Sequence, residues 1–157
     1  VDLYSPKFGE SGVIGLLQRV TSASVSVNGG IFSSIGPGLL VLIGVRPDDD
    51  ESSARKLLSR ILQYRVFGDD TGKMNLNLRQ IDGELLLVPQ FTLAADTRHG
   101  LRPGFSTAAP PDVAARLFDF LLNTARGEYP KVACGSFGAN MQVSLVNDGP
   151  VTFWLDT

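Results

Sequence analysis

The sequence has one cysteine and one histidine in 157 residues, and these scarcities remove several kinds of chemistry at once. Cys134 has no partner in the chain, so an internal disulfide is impossible and a reducing, cytoplasmic setting is expected. His99 alone cannot build a metal site of several histidines, and neither a metal nor any other cofactor is expected. The sequence contains no G-x-S-x-G elbow, phosphate-binding P-loop or dinucleotide fingerprint. The longest apolar run, Gly38 to Val45 (GLLVLIGV), is too short for a membrane span and suits a buried strand, so no membrane partner is expected. Net charge is small as well. A formal charge of -2 and a pI near 5.3 argue against broad nucleic-acid binding, and no DNA partner is expected. Recognition of a nucleic-acid end stays open, because a few contacts suffice there.

What is present points to one compact domain. Hydrophobic residues make up 43% of the chain and charged residues 19%, enough to bury a substantial core. Residues 1–13 read as a flexible lead-in and 14–157 as the domain. Leu16 to Val20, Ala23 to Val27, Ile31 to Ile35 and Gly38 to Val45 read as strands, with Asn28-Gly29-Gly30 as a hairpin turn. The acidic cluster Asp48 to Glu51 opens a helix whose apolar stripe is Ala54, Leu57, Leu58, Ile61 and Leu62. Pro110-Pro111-Asp112 opens a second helix, with Val113, Leu117, Phe120 and Leu121 on its apolar face. Arg65 to Phe67, Glu84 to Val88, Lys131 to Cys134, Met141 to Val146 and Val151 to Leu155 read as further strands. Asp96 to Thr107 is a long polar loop. Two helices and about eight strands make a mixed α/β domain.

Common nucleophiles have no visible support. His99 sits between Arg98 and Gly100 and reads as a solvated loop residue, while Cys134 reads as a buried thiol without a base. Two stretches stand apart. Pro89-Gln90-Phe91-Thr92-Leu93 follows the apolar run ELLLV, where proline cannot donate a ladder bond and Gln90 and Thr92 offer polar groups at a strand's end. A bent edge strand explains it equally well. The second is Asn147-Asp148-Gly149-Pro150-Val151-Thr152, which by composition alone is a turn.

Together the two stretches resemble the signature of the D-aminoacyl-tRNA deacylases, which carry Ser-Gln-Phe-Thr-Leu and a C-terminal Asn-x-Gly-Pro-x-Thr. The likeness continues through LLQRVTSASVSVNG (16–29), RVFGDDTGKMNLNL (65–78) and FGANMQVSLVNDGPVT (137–152), and covers the chain from Ile14 to its end. The resemblance implies a three-layer α/β/β fold with mostly antiparallel sheets. It implies a homodimer that binds the 3′ end of an aminoacylated tRNA and hydrolyses the ester to a D-amino acid, or to glycine. In this family the Gly-Pro peptide is cis, a form accessible chiefly before proline, and its loop enters the partner subunit's site. The Gly149 and Pro150 carbonyls would hold the substrate's α-ammonium, and an L side chain would strike the Gly-Pro backbone.

Carried over residue by residue, the resemblance assigns Gln90, Phe91 and Thr92 to catalysis. Amides near Phe91 and Thr92 would stabilise the oxyanion, and the tRNA's terminal 2′-hydroxyl would assist hydrolysis. A covalent role for Thr92 is the second choice, since no activating base accompanies it. Arg19 would hold the Gly-Pro loop. Phe137, Gly138 and Met141 would line the terminal adenine pocket, where stacking contributes about 1–3 kcal/mol; ordinary core packing is the other reading of Phe137 and Met141. Pro89 stands where the family has serine, removing a hydroxyl and an amide hydrogen, and a backbone-based activity is expected to survive this. Two other readings remain: a trans Gly-Pro relative that clears small L-amino acids from mischarged tRNA, and a non-catalytic RNA-end or protein-binding module.

Overall fold

The computed structural model describes residues 12–157. The expected lead-in therefore lies mostly outside the described residues. Gly12 donates its N–H to Asp49 Oδ1 at 2.8 Å, and Val13 is buried.

Strand β1 (Ile14–Val27) is the spine of the molecule. Its first half pairs antiparallel with β3 (Gly38–Gly44), and its second half with β2 (Gly30–Ile35). Along the opposite edge runs β8 (Met141–Asp156), antiparallel to β1 over nearly its whole length. Asn28 and Gly29 join β1 to β2 with φ of 52° and 78°, the backbone demanded by a tight hairpin turn. The sequence suggests two strands within 16–27 and two more within 141–155. Both pairs are single long strands, because exposed Thr21 and Ser22 break the alternation without breaking the ladder.

Beyond β3 the sheet becomes parallel. Strand β6 (Glu84–Pro89) pairs with β3 and β7 (Val132–Cys134) pairs with β6, both in parallel register. A small separate hairpin is formed by β4 (Phe67–Gly68) and β5 (Met74–Leu76). Successive residues of β3 and β6 point to opposite faces. Leu39, Val41, Ile43, Leu85 and Leu87 pack with the helices, whereas Leu40, Leu86 and Val88 join Val20, Val25 and Ile35 in a second core. The sheet curls around that second core. Ser33 Oγ on β2 donates to the Cys134 carbonyl on β7 at 2.8 Å, tying together strands from distant parts of the sheet.

Helices α1 (Glu51–Gln63) and α2 (Pro111–Glu128) cover the outer face. Asp50 caps α1 by accepting from Ser53 N at 2.9 Å, in a reciprocal box with the Ser53 hydroxyl. Its neighbour Asp49 instead turns inward and accepts from the Gly12 and Arg46 amides. Each expected α1 core residue is buried. On α2, Leu117 and Leu121 are buried with Phe118 and Ala125, while Val113 and Phe120 are partly buried against the same core. No helix among the described residues is long and apolar enough to cross a membrane.

Candidate active site

The strand β6 ends at Pro89, and its ladder shows why proline is tolerated. Gln90 N donates to Ile43 O on β3 at 2.7 Å, and Gly135 N donates to Leu87 O from the β7 side at 2.8 Å. Backbone groups of alternate residues face alternate edges, so the Pro89 nitrogen faces the β7 side. There β7 has already ended, its last pair being Cys134 with Leu87. The missing N–H costs no ladder bond.

After Gln90 the chain does not continue as a strand. Phe91–Ala94 forms one 3-10 turn, closed by Leu93 N to Gln90 O at 3.2 Å. The amides of Phe91 and Thr92 stand in its first turn, where a 3-10 helix offers no internal acceptor. Gln90 Nε2 donates to Thr92 Oγ1 in a short contact that fixes both side chains. The Phe91 ring is exposed and packs on Phe105, with centroids 5.3 Å apart.

Met141, Phe137 and Gly138 gather beside this strand end. Ser136 N donates to Met141 Sδ at 3.3 Å. A Cβ on Gly135 would stand 2.9 Å from that sulfur and 3.3 Å from Pro89 Cδ, so the Ser136–Met141 turn packs directly on Pro89. Phe137 is partly exposed, and Gly138 turns the chain with φ of 77°.

Gly149 and Pro150 lie elsewhere. They sit within β8, where the register slips: Gln18 opposes Thr152 and Val20 opposes Asn147, leaving the four residues 148–151 bulged opposite Arg19. Their peptide bond is cis, and both residues are exposed. Arg19 anchors the bulge. Its Nε donates to Asp148 O at 3.0 Å and its Nη1 to Val66 O at 2.7 Å, with the Asp148 carboxylate 3.5 Å away. Asn147 closes the other end, accepting from Val151 N at 3.0 Å and donating to Thr152 Oγ1 at 2.8 Å. The motif includes Asn147 but assigns it no role, and the sequence assigns none to Val66. An asparagine four residues before the amide it caps is the signal that could have found the first; Val66 contributes only a carbonyl and leaves none.

The two halves of the signature do not meet within one chain. Pro89 lies on the row of Ile43 and Gly15, whereas the bulge lies opposite Arg19, on the row of Leu39 and Leu85. Four rows along the strands and three strands across the sheet separate them. Among the described residues no three His, Cys, Asp or Glu side chains converge as metal ligands. His99 Nδ1 lies 2.7 Å from Asp96 Oδ2 at the surface. The Arg98 amide and the His99 ring together hold the Asp96 carboxyl below the usual carboxylate range.

A model of the D-Tyr-tRNA(Tyr) deacylase family matches residues 16–156. The chain belongs to that family. It is 62% identical over 143 residues to a protein of Stutzerimonas stutzeri (strain A1501) named D-aminoacyl-tRNA deacylase, covering 91% of this chain and 99% of that one. Identity to the protein of that name from Pseudomonas fluorescens (strain SBW25) is 64%, with the same coverage. A solved structure named c-Myc DNA Unwinding Element Binding Protein superposes with a TM-score of 0.88 at 37% identity, covering 92% of this chain and 98% of that one. Another, described as a probable eukaryotic D-amino acid tRNA deacylase, has a TM-score of 0.80 at 19% identity, covers 92% and 99%, and speaks to the fold alone.

Proposed function

We propose that this protein is an enzyme that hydrolyses the ester linking a D-amino acid, or glycine, to the 3′ end of tRNA, acting as a homodimer in the cytoplasm. The observation carrying the dimeric reading is the separation of the two signature halves within one chain. The bulge at Gly149-Pro150 projects from β8, which among the described residues pairs with β1 alone and leaves its other edge open. Leu145, Val146 and Trp154 are exposed on that strand. Soluble proteins cover such long apolar edges. A second copy would cover this one and carry its Gly-Pro bulge to the first copy's strand end.

In the completed site the Gly149 and Pro150 carbonyls receive the α-ammonium, and the backbone around them excludes an L side chain. The Phe91 and Thr92 amides face the ester oxygen, and Gln90 fixes Thr92. Phe137, Gly138 and Met141 hold the terminal adenine beside Pro89. The terminal 2′-hydroxyl assists hydrolysis, so the Thr92 hydroxyl need not act as a nucleophile. Arg19 holds the bulge in place and touches no substrate.

The test is a deacylation assay comparing D-aminoacyl-, glycyl- and L-aminoacyl-tRNA. Rapid turnover of the first two and refusal of the third is the expected result. Preferential hydrolysis of small L-aminoacyl-tRNA, or of none, overturns the reading.

A further inference from the structure

The polar loop that follows the 3-10 turn is absorbed by none of the roles above. It leaves the turn at Asp96 and returns at Gly104, and these residues exchange both backbone hydrogen bonds, at 2.8 and 2.9 Å. The neck is tied to the strand end twice more: Thr107 Oγ1 donates to Ala94 O at 2.6 Å, and Ala109 N donates to Val45 O at 2.9 Å. Inside the neck, Asp96 accepts from the Arg98 amide at 2.9 Å and contacts the His99 ring. The loop is thus a built projection with a fixed base, and the Phe91–Phe105 contact joins that base to the candidate catalytic turn.

Its chemistry differs from the rest of the molecule. The chain as a whole is acidic, yet no carboxylate occurs between Asp96 and Asp112, while Arg98, His99 and Arg102 do. Arg98 and Arg102 are exposed and neither forms a salt bridge among the described residues. Most other well-placed cations are engaged: Arg19 with Asp148 and Val66, Lys131 with Asp82, Arg79 with the Glu128 carbonyl. Leu101 at the tip is fully exposed.

We propose that this loop is a phosphate clamp, in which Arg98 and Arg102 grip the sugar-phosphate backbone leading to the esterified nucleotide. The inference rests on the functional reading above. Three residues of chain on each side of the neck give a reach of roughly 10 Å. That span carries the two guanidiniums outward from the Phe91–Thr92 turn, in the range where the strand bearing the ester presents its preceding phosphates. An acidic protein that binds a polyanion by one end needs its positive charge concentrated there, and guanidinium suits phosphate by paired, charge-assisted hydrogen bonds. Phosphate contacts position a nucleic acid without reading its bases. The clamp therefore predicts affinity shared by all tRNAs.

The experiment compares wild type, Arg98→Ala/Arg102→Ala and Arg98→Lys/Arg102→Lys on two substrates: D-aminoacyl-tRNA, and a D-aminoacyl-adenosine that has no phosphate. Binding of a non-aminoacylated single-stranded RNA with the tRNA 3′-terminal sequence is followed separately by fluorescence anisotropy. The double alanine variant should lose roughly tenfold or more in kcat/KM on the tRNA, mainly through KM, and keep wild-type activity on the adenosine ester. Its log-log salt dependence of binding should flatten by about 0.7 for each phosphate that is no longer neutralised. The lysine variant should recover much of the loss. Unchanged KM and salt slope overturn the proposal, and so does an equal loss on both substrates, which would make the arginines structural supports of the turn. If wild type hydrolyses neither ester, the functional reading fails. The RNA-binding arm then judges the clamp by itself: arginine-dependent binding upholds it and arginine-independent binding overturns it.

Discussion

The strand end at Pro89–Thr92 and the bulge at Asp148–Val151 carry the two halves of one signature, and they are built by opposite means. The strand end is a product of topology. Two parallel strands finish there, the apolar residues Leu86, Leu87 and Val88 beneath it are buried, and Gln90, which opens the following turn, donates its amide to Ile43 O on β3. The bulge sits on an edge strand with Asp148, Gly149 and Pro150 exposed and only Val151 buried, and side chains hold it: Arg19 from β1 and Asn147 from β8 itself. The first half is rigid because of what surrounds it. The second is held by specific polar groups and by the single buried side chain of Val151.

The sharpest way to break this comparison is to damage one half at a time. A Cβ on Gly149, where φ is 132°, would stand 2.7 Å from Val151 Cγ2 and 3.2 Å from Arg19 Nη2. Gly149→Ala must therefore shift the bulge. Gly135→Val drives carbon into Met141 Sδ and Pro89 Cδ, deforming the other half. Each variant alone should lose about a hundredfold or more in kcat/KM, the usual consequence of misplacing a site by about 1 Å. Co-refolded together, half of the dimers are mixed and each mixed dimer has one intact site. About a quarter of wild-type activity should return. Mixtures as inactive as their parents would mean that each chain builds its own site.

Arg19→Lys tests the clamp alone. A single ammonium cannot serve Asp148 O and Val66 O as the guanidinium fork does. Losing one charged hydrogen bond should cost about 1–3 kcal/mol of stability and lower kcat/KM about tenfold. Turnover of D-aminoacyl-adenosine should fall alongside that of D-aminoacyl-tRNA, because the ester half of the substrate is affected. Wild-type kinetics in this variant would show that the bulge holds its shape unaided.

The same contrast explains what could be read from the sequence. The α1 stripe and the Asn28-Gly29 turn were legible because each depends on neighbours in the chain. The 3-10 turn at Phe91 was not, since Phe91-Thr92-Leu93 alternates as a strand would; the ladder stops there because the β7 chain turns away at Gly135. Arg19 could be named from resemblance, but its second partner, the Val66 carbonyl, carries no side-chain signal. The separation of the two signature halves was also hidden. It follows from the parallel pairing of β3 with β6, a contact between residues more than forty positions apart.

The smallest expected effect concerns acid. The loop neck beside the strand end depends on Asp96, whose carboxyl lies below its ordinary value of 3.8 because the Arg98 amide and the His99 ring stabilise the anion. A carboxyl with a depressed folded value contributes fully above its unfolded value and loses that contribution as pH falls through the folded one. The Asp96 share should thus fade as pH falls below about 4. In the bulge the principal anchors join a guanidinium, which stays charged, to carbonyl oxygens, which do not titrate in this range. Backbone amide shifts followed by NMR from pH 6 to pH 2.5 should show Arg98 moving below pH 4, while Val151, bonded to the neutral Asn147 amide, stays in place. Asp96→Asn should remove the Arg98 transition and leave Val151 as before. If both amides move together in the wild type, acid is loosening the whole domain and the two regions are not held independently. If Val151 moves first, the neck is the more robust of the two, and the contrast between a topological and a clamped half-site is wrong.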